Sequence, residues 1–104
     1  MACKEMNEDT RKADTGKPRY HLIMKDFADQ MNELSVIATI GAEKYGDQSW
    51  MLSTKPIAYL DAAYRHLAKY NQGQILDEET NQSHLLHVCW NILALDWFTK
   101  RGNE

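Results

Sequence analysis

The clearest pattern along the chain is a set of three segments whose apolar residues recur at helical spacing. The first lies between residues 25 and 42, where one helical face carries Phe27, Met31, Leu34 and Ala38. The second spans about residues 55 to 72, with an apolar face made of Ile57, Leu60, Tyr64 and Leu67. The third, residues 83 to 100, is apolar on nearly every side. No segment shows strand alternation, so the pattern predicts an all-α three-helix bundle.

Residues that favour helix ends stand at the predicted boundaries. The helix starts are marked by Ser53 or Thr54 before the second helix and by Ser83 before the third. The helix ends are marked by Gly41 or Gly46 after the first helix and by Gly73 after the second. Upstream of these helices, Pro18 biases the segment GKPRYHLI towards an extended conformation.

The chain divides into a tail and one domain. Residues 1–16 contain many charges, few large apolar residues and no periodicity, which predicts a disordered N-terminal tail. Residues 17–104 then form a single helical domain with an extended first segment. A chain of 104 residues buries only about 60–65% of its unfolded surface. Because the third helix is apolar all round, we expect a homo-oligomer in which a neighbouring subunit completes the bundle.

The charge and cysteine content exclude several classes of protein. A net charge of -3 argues against binding to duplex nucleic acid, which usually requires a strongly basic face. Cys3 and Cys89 show neither zinc spacing nor a CxxC motif, which suits a reducing compartment. No apolar run is long enough to span a membrane, and the first residues do not resemble a signal peptide. We therefore expect a cytoplasmic protein without membrane partners.

A polar stripe interrupts the apolar third helix. His84, His87 and Asn91 stand three and four residues apart, so their side chains fall within an arc of about 60°. A buried polar group without a partner costs about 1–3 kcal/mol, so all three need partners. A divalent metal or a nucleotide would satisfy them. Hydrogen bonds that hold the second and third helices in register would do so equally well.

Several charged residues allow both a functional and a structural interpretation. Asp61 and Arg65 have the spacing of a surface ion pair, but Arg65 could bind phosphate with His66 directed towards the polar stripe. The loop carboxylates suit magnesium ligation or simple solvation, and they are Glu43, Asp47, Asp77, Glu78 and Glu79. The first helix carries a further acidic face that we interpret as solvated, made of Asp26, Asp29 and Glu33.

Basic and aromatic residues cluster in two short motifs. The motif DTGKPRY contains Lys17 and Arg19, and it is not a P-loop because Pro18 follows the lysine. The motif GAEKYGDQSW contains Lys44, together with Tyr45 and Trp50. The two aromatic rings could stack on a nucleotide base or close the end of the core.

Taken together in order along residues 13 to 95, these motifs resemble a small phage-encoded helical family of dATP/dGTP diphosphohydrolase-like proteins. The resemblance is carried by DTGKPRYHLI, GAEKYGDQSW, RHL, the acidic loop with Asp77 and Glu79, and HLLHVCWNILAL. It implies an all-α domain akin to MazG-type nucleotide pyrophosphatases, which split a nucleoside triphosphate into monophosphate and pyrophosphate with magnesium. The chain would then act in the cytoplasm of an infected bacterial host.

The resemblance leads to a specific hypothesis about the site. The triphosphate would be held by Lys17, Arg19, Lys44 and Arg65, with His66 nearby. Magnesium, or manganese in its place, would be coordinated directly or through water by Glu43, Asp47 and Asp77. An attacking water would be oriented by His84 or His87. Asn91 would read the base or anchor the histidines. Tyr45 and Trp50 would stack on the base.

Two alternatives stay open. The predicted helices carry neither of the paired E-x-x-E and E-x-x-D motifs that hold the metals of MazG enzymes. The same cations and aromatic residues would suffice for a non-catalytic phage protein that sequesters a nucleotide used in host defence. A helical structural protein without a small ligand is the third possibility, and it predicts that no nucleotide raises the melting temperature.

Overall fold

A computed structural model describes residues 15–102 of the chain. Within that range all regular structure is helical, which confirms the predicted all-α class. The helices in chain order are α1 (His21–Met24), α2 (Ala28–Tyr45), a 3-10 turn (Ser49–Leu52), α3 (Ile57–Asn71) and α4 (His84–Arg101). The predicted tail, residues 1–16, lies almost wholly outside the described residues.

Helix α4 is the centre of the packing. It lies along α3 over most of its length and contacts α2 over a shorter stretch, whereas α2 and α3 barely touch each other. A cluster of aromatic rings ties the 3-10 turn to α4, because Trp50 makes edge contacts with Trp90, Trp97 and Phe98. Tyr59 of α3 joins the cluster and donates a hydrogen bond from its hydroxyl to the Trp50 carbonyl, at 3.0 Å. The open side between α2 and α3 forms a cleft.

The first part of the domain follows the prediction at one point and differs from it at another. Helix α2 runs through Gly41 and ends at Gly46, one of the two glycines predicted to end it, and the φ of 96° at Gly46 is readily accessible only to glycine. Residues His21–Met24 are helical and not extended. Pro18 restricts its own φ and the residue before it, so the residues that follow it were free to turn.

The connection between α3 and α4 is held by its own backbone. Gly73, at φ 91°, closes α3 in a Schellman motif in which the Gln74 amide donates to the Lys69 carbonyl, as predicted for this glycine. The loop then folds back on itself through hydrogen bonds from Asp77 N to Gln82 O at 2.8 Å and from His84 N to Ile75 O at 2.9 Å. This pairing, with a single antiparallel bridge between Leu76 and Ser83, fixes where α4 begins.

Two side chains anchor the first turn of α4. The Ser83 hydroxyl accepts hydrogen bonds from the Leu85 and Leu86 amides, which confirms the predicted cap. The Glu33 carboxylate accepts the Ser83 amide, so α2 is tied to the start of α4. The interpretation of Glu33 as a solvated residue was therefore wrong, because α4 packs against this part of α2. Asp26 and Asp29 are exposed, as expected.

Three further expectations concern the surface. Asp61 and Arg65 are exposed and form no ion pair within the described part of the chain, so their helical spacing alone does not bring them together. Cys89 is an exposed free thiol, and Cys3 lies outside the described residues. None of the helices in residues 15–102 is both long and apolar enough to cross a bilayer.

The cap on α4 gives a direct test of this arrangement. Replacing Ser83 by Ala removes the acceptor for two amides at the helix start, so we expect a loss of about 1 kcal/mol in the free energy of unfolding. The matched control is Ser35→Ala, because Ser35 is exposed and its hydroxyl only donates to the Met31 carbonyl of the same helix. Urea unfolding followed by circular dichroism measures both. Equal stability of the Ser83→Ala variant and the native chain would contradict the cap.

Candidate active site

A cleft of about 1450 Å³ lies between the C-terminal half of α2 and the paired helices α3 and α4. Its rim comes from the end of α2 and the turn after it, and its floor comes from α3, α4 and the loop between them. The rim residues with functional groups are Glu43, Lys44, Tyr45, Asp47 and Trp50. The floor residues with functional groups are Tyr59, His66, Asp77, Glu79, Thr80, His87, Trp90 and Asn91. A volume of this size accommodates a nucleotide.

The floor is built around a hydrogen-bonded chain from a carboxylate to an imidazole. Asp77 Oδ2 accepts hydrogen bonds from the amide and the hydroxyl of Thr80, each at 2.9 Å. Thr80 Oγ1 lies 2.7 Å from His87 Nε2. Because the hydroxyl has a single proton, which goes to the carboxylate, its oxygen can only accept from the imidazole. His87 therefore carries a proton on Nε2, and its lone pair is on Nδ1.

A second pair of imidazoles lies beside this chain. The Nδ1 atoms of His66 and His84 are 2.8 Å apart, and the His66 ring stacks on the His87 ring at 4.4 Å and 5°. His84 is 1% exposed and does not line the cleft, and its Nε2 has no hydrogen-bond partner among the described residues. His84 is therefore placed to act through His66 and not by touching a molecule in the cleft.

Burial sets the protonation of this cluster. Desolvation lowers the pKa of His66 and of His87 below the ordinary 6.5, so both imidazoles are neutral at pH 7. Burial by itself would raise the pKa of Asp77, but the two hydrogen bonds from Thr80 and the nearby imidazoles outweigh it and lower that pKa overall. The floor thus presents neutral ring nitrogens beside an ionised carboxylate, which is the state in which these groups ligate metals.

The potential metal ligands do not all converge. One ring nitrogen each of His66 and His84 and one oxygen of Asp77 lie within 4.8 Å of one another, and no other such group of three occurs in residues 15–102. Glu43 and Asp47 line the same cleft as Asp77 but remain exposed at its rim. The predicted set of Glu43, Asp47 and Asp77 therefore surrounds the cleft without forming a closed cage.

The predicted nucleotide-binding residues separate into two groups. The cleft contains Lys44, Tyr45, Trp50, His66 and Asn91. Lys17, Arg19 and Arg65 are exposed and do not line it. Trp50 packs in the aromatic core as well as lining the cleft, and Asn91 is buried and donates from Nδ2 to the His87 carbonyl at 2.8 Å. Both residues therefore have structural contacts, and their contacts to a ligand remain predictions.

Sequence reasoning missed the central hydroxyl. Thr80 connects Asp77 to His87, and the signal for it is its position three residues after an aspartate in a loop, where an Asx-type turn brings the two side chains together. It also treated Glu79 only as one of several loop carboxylates. In the structure Glu79 lies 3.7 Å from Lys44 Nζ across the cleft.

The chain is similar in sequence to a known family of proteins. Residues 7–104 match the family model described as dATP/dGTP diphosphohydrolase, N-terminal. The chain is 30% identical over 86 residues to a dATP/dGTP diphosphohydrolase of Salmonella phage PMBT28, a match that covers 83% of this chain and 28% of that protein. The chain thus spans less than a third of this curated relative. No solved structure matches it. On this match, the chain belongs to the dATP/dGTP diphosphohydrolase N-terminal family.

Proposed function

We propose that the chain binds a purine deoxynucleoside triphosphate, dATP or dGTP, in the cleft and hydrolyses it to the monophosphate and pyrophosphate with magnesium. The observation that carries this proposal is the joining of Asp77, Thr80 and His87 into one hydrogen-bonded chain on the cleft floor. The family and the name of the phage relative suggest the substrate class.

The charge of the cleft supports a mode of binding that depends on metal. Among residues 15–102, its lining holds four carboxylates, Glu43, Asp47, Asp77 and Glu79, and Lys44 is the only lysine or arginine. With neutral imidazoles the lining carries three net negative charges, and a triphosphate entering it would be repelled. Divalent cations held by these carboxylates would remove this repulsion. We therefore propose that nucleotide enters only as its metal complex.

The carboxylates fit magnesium as donors. Magnesium prefers oxygen ligands and keeps several waters, so it needs only one or two carboxylates beside the phosphates. Glu43, Asp47 and Asp77 are spread around the cleft in a way that suits such partial, water-mediated ligation. When bound, magnesium would neutralise the phosphate oxygens and favour negative charge developing at the α-phosphorus.

His87 is the residue best placed to handle a proton. Its Nε2 proton is directed to Thr80, so Nδ1 is the nitrogen that would take a proton from an attacking water. The positive charge formed on the ring would be stabilised by Asp77, whose Oδ2 is 3.8 Å from His87 Nε2. In catalytic triads a third group orients the base. Here Asp77 would orient His87 through the Thr80 hydroxyl that lies between them.

The rim would hold the rest of the nucleotide. Lys44 is the cation available to the phosphates, and Tyr45, 68% exposed, offers a ring face for a base. Trp50 would contribute to base recognition from the rim, and Asn91 would do so from the floor. Three exposed cations remain proposed phosphate contacts, namely Lys17, Arg19 and Arg65. Their side chains would have to reach the phosphates from outside the cleft.

A second candidate function is nucleotide binding without turnover. It is favoured by one observation, that the chain covers 28% of the phage relative and matches a model of the N-terminal part of that family. In this case the carboxylate and imidazole cluster would hold a nucleotide and its metal, as a sequestering protein would, without splitting it.

We also propose that the chain forms a homo-oligomer. Large apolar side chains remain about half exposed along α1 and the start of α2, namely Leu22, Ile23, Met24 and Phe27. Ile37 is the only buried residue of α2. A second copy of the chain covering these side chains would remove apolar surface from water and complete the bundle.

Turnover is tested with dATP, dGTP and magnesium. We expect the native chain to release pyrophosphate and monophosphate, and His87→Ala to lower kcat by about 10²–10⁴-fold because the proton acceptor is lost. His21→Ala is the matched control, since His21 is exposed on α1 away from the cleft, and it should keep full activity. Pyrophosphate release is measured by a coupled assay.

The same assay separates the two candidate functions. If the native chain releases no more pyrophosphate than His87→Ala, hydrolysis is ruled out. Calorimetry with dGTP then decides about binding, which we expect with magnesium and not with a chelator. Tight binding of dGTP in the presence of the chelator would contradict the proposal that the negatively charged cleft admits nucleotide only with its metal ion.

The oligomer is tested by light scattering coupled to size-exclusion chromatography. We expect a mass at least twice the 12.1 kDa of one chain, and we expect Ile23→Asp to shift the mass towards that of a monomer. Gln30→Asp, at an exposed position of α2, is the control for added charge. A monomeric native chain would contradict the proposed assembly.

A further inference from the structure

The floor of the cleft contains a second constellation, which shares Asp77 with the hydrolysis proposed above and adds two histidines to which that proposal gives no catalytic step. His66, Asp77 and His84 come from α3, from the α3–α4 loop and from the first residue of α4, respectively. A ring nitrogen of each histidine and a carboxylate oxygen of Asp77 lie within 4.8 Å of one another. We infer that these three residues form a binding site for a divalent transition-metal ion, of the zinc, cobalt or manganese class, separate from the magnesium carried by a nucleotide.

The distance between the imidazoles is compatible with a shared metal ion. The Nδ1 atoms of His66 and His84 are 2.8 Å apart, so one ring donates its Nδ1 proton to the other in a neutral hydrogen bond, and a metal ion that displaces this proton would have both nitrogens directed at it. Two nitrogens bound to one ion at about 2.1 Å lie about 3.0–3.4 Å apart at octahedral or tetrahedral angles. The imidazoles need to separate by less than 1 Å to admit an ion, and the Asp77 oxygen needs a shift of about 1 Å.

Asp77 is prepared for such a role by its own partners. Thr80 donates both of its hydrogen bonds to Oδ2, and Oδ1 accepts none from residues 15–102. Carboxylates that bind metals are characteristically held in place by hydrogen bonds of this kind. The Thr80 hydroxyl extends this support to His87, whose ring also stacks on His66 and limits its rotation.

The donor set determines the kind of ion. Two imidazole nitrogens and one carboxylate favour zinc, cobalt, manganese or ferrous iron over magnesium and calcium, which prefer oxygen. Three protein ligands leave at least one coordination position. Because His66 and Asp77 line the cleft while His84 closes the site from behind, that position faces the cleft. An ion there would also offset part of the negative charge of the lining.

The site is tested on the full chain after removal of metals by chelation and without any nucleotide, so that the result is independent of the proposed hydrolysis. Calorimetric titration with zinc should give one ion per chain, and magnesium at equal concentration should not compete. We expect His66→Gln and Asp77→Asn each to weaken zinc binding at least tenfold. His21→Gln, which removes an exposed histidine of α1, is the matched control and should bind like the native chain.

A measurement on the native chain covers the case in which a variant fails to fold. Addition of one equivalent of cobalt or manganese should broaden the ring-proton resonances of His66 and His84 by paramagnetic relaxation and leave those of His21 sharp. The inference is overturned if zinc binds no more tightly than magnesium. It is also overturned if His21→Gln loses as much affinity as His66→Gln, or if the paramagnetic ions broaden His21 as strongly as His66.

Discussion

The site depends on the folded loop between α3 and α4. Backbone hydrogen bonds between Asp77 and Gln82 and between Ile75 and His84 make this loop a closed unit, and the Schellman turn at Gly73 sets its direction. The loop therefore delivers Asp77 to the floor of the cleft and starts α4 with His84 already facing α3. Without that constraint the Asp77 carboxylate would lie in water, and His87 would lose the acidic neighbour that acts on it most strongly. The Glu33 bond to the Ser83 amide joins the same unit to α2.

This constraint has an electrostatic consequence. It places an ionised carboxylate beside neutral imidazoles in a cleft that contains one lysine and four carboxylates. Such a lining attracts metal ions and repels free phosphate, so the proposed nucleotide would have to enter together with its cations. The aromatic cluster around Trp50 supports the arrangement from one end by fixing the turn that carries Asp47 and by holding α4 against α3. Helix α4 therefore carries both the histidines of the site and the aromatic residues that pack against Trp50.

Local patterns were sufficient to predict the three long helices, the Ser83 cap and the glycine at the end of α3, because these depend on residues close in sequence. They also indicated the polar stripe of His84, His87 and Asn91. They did not indicate that His84 is sealed from the cleft, that Glu33 reaches the start of α4 or that Arg65 stays outside, since each depends on how helices distant in sequence pack. Thr80 was missed because a hydroxyl gains its role only when the loop closes around it. Helix α1 was not predicted because the extended bias of Pro18 was applied to residues 21–24, whereas proline restricts only its own backbone and that of the residue before it.

The most direct test of the central claim is anomalous X-ray diffraction from crystals grown with manganese and a non-hydrolysable dGTP analogue. The account predicts an anomalous peak within bonding distance of ring nitrogens of His66 and His84 and of the Asp77 carboxylate, with the triphosphate in the same cleft. If manganese and the nucleotide are ordered elsewhere on the molecule, and the two imidazoles bond only to each other, the cluster serves to hold the helices in register and the account is contradicted.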